Sequence, residues 1–314
     1  MTDLTKSFSR PKVSIIIPVY NHAHRVDSAI HSVLAQSCQD YEIIIINDGS
    51  TDNLEEILQQ FDNIQLLNHD LNLGRAAARN TGILAARGGY VAFLDADDQW
   101  MPQKLSRQIN YLEENKDVEV CLTGHKRLMP NGQTQNIPFL NVSDWEKYLL
   151  KYVGLSDGSV PMIHRACFDK IGLQDTAFVW HENWDWLLRA ANQDCKIGYL
   201  HERLSVKRQS QKRAPASIRE DATLYFIKKH TDLFRQYDFY GRSAMALKWY
   251  NLAIDYFYEK NRMKGNHYLF KALFTHPFQR PGLYFRFLDA LLGTSFEASM
   301  QKNVFYKRIK RIEN

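Results

Sequence analysis

The sequence predicts an α/β protein: a doubly wound, mostly parallel sheet with helices on both faces, followed by a helical C-terminal extension. Two patterns carry this. Up to residue 123, short apolar runs alternate with stretches of helical periodicity across short loops, as in a series of βαβ units. From Ile218 onward, apolar and aromatic residues recur at helical spacing instead. A third observation bears on function. The polar clusters Tyr20-Asn21, Asp48-Gly49-Ser50 and Asp95 to Asp98 each follow an apolar run. They therefore sit at the carboxyl ends of strands, where open α/β sheets bind ligands.

Taken in order, Val13 to Ile17 is an apolar run that Pro18 is expected to close. Ala23 to Gln36 carries Val26, Ile30, Val33 and Leu34 on one helical face. Tyr41 to Ile46 reads as a second strand, and Thr51 or Asp52 as the cap of a helix reaching about Phe61. Ile64 to Leu67 is a third strand and the alanine-rich Gly74 to Ala86 a third helix. Tyr90 to Leu94, Met101 to Glu114 and Val118 to Thr123 continue the alternation. The middle, Lys126 to Arg208, is less regular, with a strand expected at Val160 to His164 and a helix at Asn183 to Gln193. Lys207 to Ser217 is polar and basic and contains Pro215, which reads as a loop or boundary. The expected domains are thus 1–210 and 211–314. In the second, a break at Arg262 to Gly265 predicts one helical hairpin resembling a tetratricopeptide unit.

Composition narrows the setting. The formal charge of +5 is mild and suits an anionic ligand, a membrane surface or an ordinary cytosolic protein. Cys38, Cys121, Cys167 and Cys195 are widely spaced, with no CxxC pair. They read as small buried hydrophobes in a reducing compartment, neither a disulfide frame nor a zinc site. Met1 to Arg10 is polar and short, and no run of 18 apolar residues occurs. A cytoplasmic protein, peripheral on a membrane at most, is expected.

Asp95-Ala96-Asp97 is the sharpest chemical signal. Carboxylate oxygens are hard ligands for Mg²⁺ or Mn²⁺, and two of them on one turn can face a metal that also holds a diphosphate. The plainer alternative is that Asp97 or Asp98 caps the following helix.

With these residues in hand, the chain resembles the family 2 glycosyltransferases of the GT-A fold. Four stretches match in order: Val13 to Asn21, Ile46 to Asp52, Asn72 to Gly82 and Phe93 to Asp98. The resemblance covers about residues 11 to 205 and implies an inverting, nucleotide-sugar-dependent transferase. It implies that Pro18, Tyr20 and Asn21 wall the base and ribose, and that Asp48 accepts from a nucleobase such as uracil, which favours a UDP-sugar. Arg79 would lie near the nucleotide, with Arg75 as a second cation. Asp95 and Ala96 would touch the ribose or sugar, and Asp97 would bind Mn²⁺ or Mg²⁺. The acceptor would be a saccharide or a lipid-linked hydroxyl. No nucleic-acid partner is expected.

Two departures stand out. Where the family shows a Glu-Asp pair at a helix start, this chain reads His181-Glu-Asn-Trp-Asp-Trp-Leu-Leu-Arg189, so Asn183 replaces the expected general base. An amide cannot take the proton. Asp185 is favoured as its substitute, with Glu182 assisting, while an acid-rich helix start stabilised by the macrodipole is the alternative. Trp180 and Trp184 offer aromatic faces for an acceptor sugar. The second departure is downstream: Val206 to Arg213 lacks the His that related enzymes often use near the metal. Lys207, Arg208, Lys212 and Arg213 are candidates to meet the diphosphate from a loop instead.

Val19 to His24 lacks G-x-G-x-x-G, which disfavours a Rossmann dehydrogenase. A nucleotidyltransferase would carry a Gly-rich basic loop after its first strand, which is missing. A scaffold that binds nucleotide sugars and has lost catalysis at Asn183 is the third reading. Finally, Phe296 to Arg311 mixes aromatic and basic residues and is a candidate for docking on anionic lipid.

Overall fold

The computed structural model describes residues 10–152, 158–209 and 214–277. Two compact units divide the chain: Met1–Leu149 with Val153–Arg213, and Leu150–Tyr152 with Ala214–Asn314.

The first unit opens with β1 (Val13–Val19), α1 (Ala23–Leu34), β2 (Tyr41–Asp48), α2 (Leu54–Leu58), β3 (Ile64–His69), α3 (Arg75–Ala85) and β4 (Tyr90–Phe93). These strands pair in parallel in the order β3-β2-β1-β4. Ile15 and Ile17 share a buried cluster with Val26 and Ile30 of α1. On the opposite face, a Cβ at Gly82 of α3 would collide with Ile16 and Ile46, so α3 packs unusually close there. Alternate residues of β1 thus feed the two faces, which is why its run is apolar throughout.

Pro18 does not close the strand: β1 runs to Val19, with Pro18 opposite Ile46. The reason is local. β4 registers with β1 only up to Ile16, so the ring stands where one flank of β1 has no ladder partner.

The sheet continues through β5 (Gln99–Trp100), α4 (Lys104–Glu114), β6 (Val120–Leu128), β7 (Thr134–Asn136), α5 (Trp145–Lys151), β8 (Met162–His164), α6 (Ala166–Ile171), α7 (Glu182–Asn192) and β9 (Ile197–Arg208). The full order is β3-β2-β1-β4-β8-β6-β9-β5, with β7 beside β6. β8 and β5 run antiparallel to their neighbours. Two expectations change here. Gln99–Trp100 pairs with Ser205 and Val206 as a short strand, which delays the helix to Lys104. Lys207 and Arg208 lie in the 12-residue strand β9 and not in a loop. β9 escaped the sequence pattern because its charged residues interrupt any alternation and because its register against β6 slips around Gly124.

The second unit holds α8 (Ala216–Lys229), α9 (Thr231–Gln236), α10 (Asp238–Tyr258) and α11 (Arg262–Thr275). α10 and α11 form a helical hairpin, but the break falls at Glu259 to Asn261 and not at Arg262 to Gly265, which make the first turn of α11. Asn261 caps α11 by accepting from Lys264 N, and Tyr268 stacks on Trp249 and Tyr256 with centroids 5.9 and 6.0 Å apart. No helix among the described residues is long and apolar enough to cross a membrane. Phe296 to Arg311, Lys212 and Arg213 lie outside the described residues.

Candidate active site

The carboxyl ends of β1, β2 and β4 and the N-terminus of α7 bring most of the expected residues to one region. Asn21, in the left-handed conformation at φ 54°, accepts from Thr51 N at 2.8 Å and donates its own N–H to Ser50 Oγ at 3.1 Å. The turns after β1 and β2 are thereby tied together. Tyr20 beside it is exposed, and Pro18 is half-buried.

Asp48 is buried, and both of its oxygens are engaged. Oδ1 accepts from Leu73 N at 2.9 Å and from His69 Nδ1 at 2.7 Å, and Oδ2 accepts from Gly74 N at 2.9 Å. Its observed work is to hold the loop that leads into α3. Gly49, at φ 72°, lets that loop approach: a Cβ there would fall 2.5 Å from the Leu71 carbonyl carbon.

Arg79 is fully buried, not facing open space as a nucleotide ligand would. Its Nη2 donates to Asp95 Oδ1 at 2.6 Å and its Nη1 to Glu182 Oε1 at 2.7 Å. One planar guanidinium thus joins α3, the end of β4 and the start of α7, a geometry that suits Arg and not Lys. Arg75, one turn earlier, is the exposed cation. Its Nε lies 3.6 Å from Glu182 Oε1 and its guanidinium sits 4.9 Å from the Trp180 ring centroid. Gly158 covers the pair, since a Cβ there would lie 2.6 Å from Arg79 Nη2.

Burial pushes the Asp95 carboxyl up, but Arg79, Lys207 and Arg75 outweigh it and hold the group below its ordinary value. Asp95 is therefore ionised. Asp95 N donates to Ser159 Oγ at 3.0 Å, and Ser159 Oγ donates to Asp98 Oδ2 at 2.7 Å. Asp98 Oδ1 accepts from Arg208 N at 3.0 Å. Asp98 is not a helix cap; it locks the aspartate turn to β9. Burial pushes its carboxyl up to about 8. Ala96 between the two aspartates is buried.

Asp97 differs from its neighbours. It is partly exposed, and its side chain has no hydrogen bond or ion pair among the described residues. Asp95 likewise keeps Oδ2 without a hydrogen bond among them, its Oδ1 being taken by Arg79. Hard oxygen donors so left open fit Mn²⁺ or Mg²⁺.

The α7 segment departs from expectation. Asp185 is fully buried, and its Oδ2 accepts from Arg189 Nε at 2.9 Å. Arg189 also donates to the carbonyls of Ile171 and Leu173 at 2.7 and 2.8 Å. The favoured substitute base is thus a neutralised packing carboxylate, four residues from its arginine on one helix face. Glu182 is 3% exposed and bound by Arg79. Asn183 Oδ1 accepts from Gln174 Nε2 at 2.7 Å. Trp184 is 1% exposed and its indole N–H donates to the Leu149 carbonyl, so it belongs to the core and offers no face to an acceptor. Trp180 is only partly covered.

Sequence reasoning did not find Ser159 and Gln174. They are isolated polar residues in the irregular middle of the chain, and their roles depend on contacts 61 and 9 residues away.

Residues 14–168 match the model of glycosyl transferase family 2. TuaG of Bacillus subtilis (strain 168), a glycosyltransferase named for teichuronic acid biosynthesis, is 39% identical over 127 residues, which are 39% of this chain and 50% of TuaG. YibD of Escherichia coli (strain K12), described as an uncharacterized glycosyltransferase, is 42% identical over 118 residues, 36% of this chain and 34% of YibD. The chain therefore spans about half, or less, of these relatives' lengths. The crystal structure of S. aureus TarS 1–349 in complex with UDP-GlcNAc is similar with a TM-score of 0.59 at 15% identity, covering 84% of this chain and 81% of that one. That likeness shows a shared fold.

Proposed function

The chain carries a family 2 glycosyltransferase domain of GT-A fold, and from that premise we propose that it moves a sugar from a nucleotide-diphosphate donor to a hydroxyl acceptor. A UDP-sugar is the favoured donor, and a saccharide or lipid-linked acceptor in cell-envelope glycan synthesis the favoured destination. The observation that carries the reading is the pair of unengaged carboxylate oxygens on Asp97 and Asp95, at the carboxyl end of β4. TarS has been crystallised with UDP and with UDP-GlcNAc, and TuaG is named for teichuronic acid biosynthesis; both lend support.

Asp97, with Oδ2 of Asp95, would hold Mn²⁺ or Mg²⁺, which supplies charge neutralisation for a departing nucleoside diphosphate. Arg79 keeps Asp95 ionised and fixes its orientation. Tyr20, Asn21 and the loop anchored by Asp48 form the wall proposed for base and ribose. Arg75 and Trp180 present a cation and an aromatic face beside Glu182, suited to a phosphate and a sugar ring. Attack by the acceptor oxygen opposite the leaving group inverts the anomeric centre, and a base must remove the hydroxyl proton.

A second reading is favoured by one observation: at the start of α7, Glu182 and Asp185 are each bound by arginine and position 183 is an amide. This reading makes the chain a nucleotide-sugar-binding protein with slow transfer. Calorimetry with a panel of nucleotide sugars and Mn²⁺, followed by assay of free nucleoside diphosphate, separates the two. Binding with turnover supports the first, and binding without turnover the second. Absence of binding to every nucleotide sugar overturns both. Contact of the 296–311 tail with anionic membrane is a further proposal, tested by liposome co-sedimentation with and without the tail.

A further inference from the structure

Glu119, Cys167 and Cys195 come from three separate parts of the first unit. Glu119 directly precedes β6, Cys167 lies in α6, and Cys195 stands two residues before β9. The Cys167 and Cys195 sulfurs are 3.8 Å apart, and Cys167 Sγ lies 3.9 Å from Glu119 Oε1. One donor atom from each residue lies within 4.8 Å of the other two. A tetrahedral zinc ion, with Zn–S about 2.3 Å and Zn–O about 2.0 Å, sets two sulfurs about 3.8 Å apart and a sulfur and an oxygen about 3.5 Å apart. The three side chains therefore already approximate one face of that tetrahedron, with a small inward movement of the carboxylate needed to complete it.

We propose that Glu119, Cys167 and Cys195 form a zinc site, separate in place and chemistry from the aspartates at the end of β4. Glu119 is oriented for this. Its Oε2 accepts from Lys196 N at 3.3 Å and lies 3.8 Å from Lys170 Nζ, which leaves Oε1 turned to the thiols. Both cysteines are buried, while the Glu119 side chain is 34% exposed. Water would complete the shell at a fourth position. Zinc would bind both sulfurs as thiolates. Thiolates select zinc over the hard ions suited to Asp97. The ion would clamp the starts of β6 and β9 to α6. Phe168 of α6 in turn packs on Phe93, two residues before Asp95, and on Trp186 of α7.

The test uses the reduced full-length chain and Zn²⁺ alone. After desalting, plasma mass spectrometry is expected to find about one zinc per chain, as for a single structural site. Cobalt should give thiolate-to-metal charge-transfer absorption in the near ultraviolet. Cys195→Ser should lose both signals, Glu119→Gln should weaken retention by at least about tenfold, and Asp97→Ala should change neither. The proposal is overturned if the unmodified reduced chain retains no zinc and gives no cobalt–thiolate band, a readout that needs no variant to fold. It is equally overturned if retention survives Cys195→Ser or disappears with Asp97→Ala. A Cys167–Cys195 disulfide in the air-oxidised chain, with no zinc uptake after reduction, would assign the pair to thiol redox chemistry instead.

Discussion

Arg79 Nη2 and Asp95 Oδ1 are 2.6 Å apart, and the guanidinium has no exposed surface. The residue expected near the nucleotide is instead buried and joins the aspartate turn to Glu182. Removing the cation would strand two carboxylates. Arg79→Met is expected to cost about 3–5 kcal/mol of stability, and Arg79→Lys to retain part of the fold while losing the two-pronged geometry. Thermal denaturation reads the first, and donor affinity at a temperature where the Lys variant is folded reads the second. Unchanged melting of Arg79→Met would remove the bridge from the account.

Asp97 has no protein partner to lose among the described residues. Asp97→Ala should therefore leave stability within about 0.5 kcal/mol of the parent. It should abolish the Mn²⁺ dependence of nucleotide-sugar binding. Melting curves and calorimetry with and without EDTA check both halves; a variant that binds the donor as the parent does would sink the metal assignment.

Asn183→Asp restores a carboxylate where Gln174 Nε2 already donates at 2.7 Å. If proton removal limits transfer, turnover should rise by about 10²- to 10⁴-fold, the range of general-base effects, and the rate should gain an acidic limb. Rate against pH for parent and variant decides it. An unchanged rate would mean that another group or another step governs.

Asp185→Asn should behave as a stability variant. The buried pair with Arg189 loses its charge, and the grip of Arg189 on the Ile171 and Leu173 carbonyls weakens. Melting temperature should fall, while kcat of the folded fraction stays within about twofold, because a folded-fraction loss leaves the chemical barrier untouched. A large loss of kcat at unchanged stability would return Asp185 to the catalytic role.

Lys104 lies beneath Trp100, fully buried, and burial pushes its ammonium down to about 7. In the unfolded chain the value is about 10.4, so between these limits the unfolded state binds more protons and stability rises with pH. The slope is at most about 1.4 kcal/mol per pH unit. Lys104→Met should flatten it. Urea melts from pH 7 to 10 measure this, and an equal slope in the two proteins would contradict the placement.

The parallel strands β1 to β4 and the polar turns at their carboxyl ends were legible from residues 11 to 98, because each buried run and each polar turn is contiguous in sequence. The placement of the aspartate turn, Asn21 and Asp48 at those ends was read in this way. β9 was not. Its partner β6 is about 77 residues away, its register slips at Gly124, and its surface charges hide the strand pattern. Trp184 and Asp185 were misread for a related reason. The order of a helix shows which residues share a face, but not which face turns inward, and α7 buries both.

The sequence alone determined the order of strands and helices from β1 to β4, the family resemblance and the chemical types expected at the site, since propensity, periodicity and motif spacing are local properties. Tertiary structure decided which charges are available. It buried Arg79 between two acids, spent Asp185 on Arg189, left Asp97 open and set Cys167 beside Cys195 and Glu119. These outcomes depend on burial and on partners distant in the chain, and it is desolvation and pairing, not residue type, that set whether a carboxylate or thiol can act.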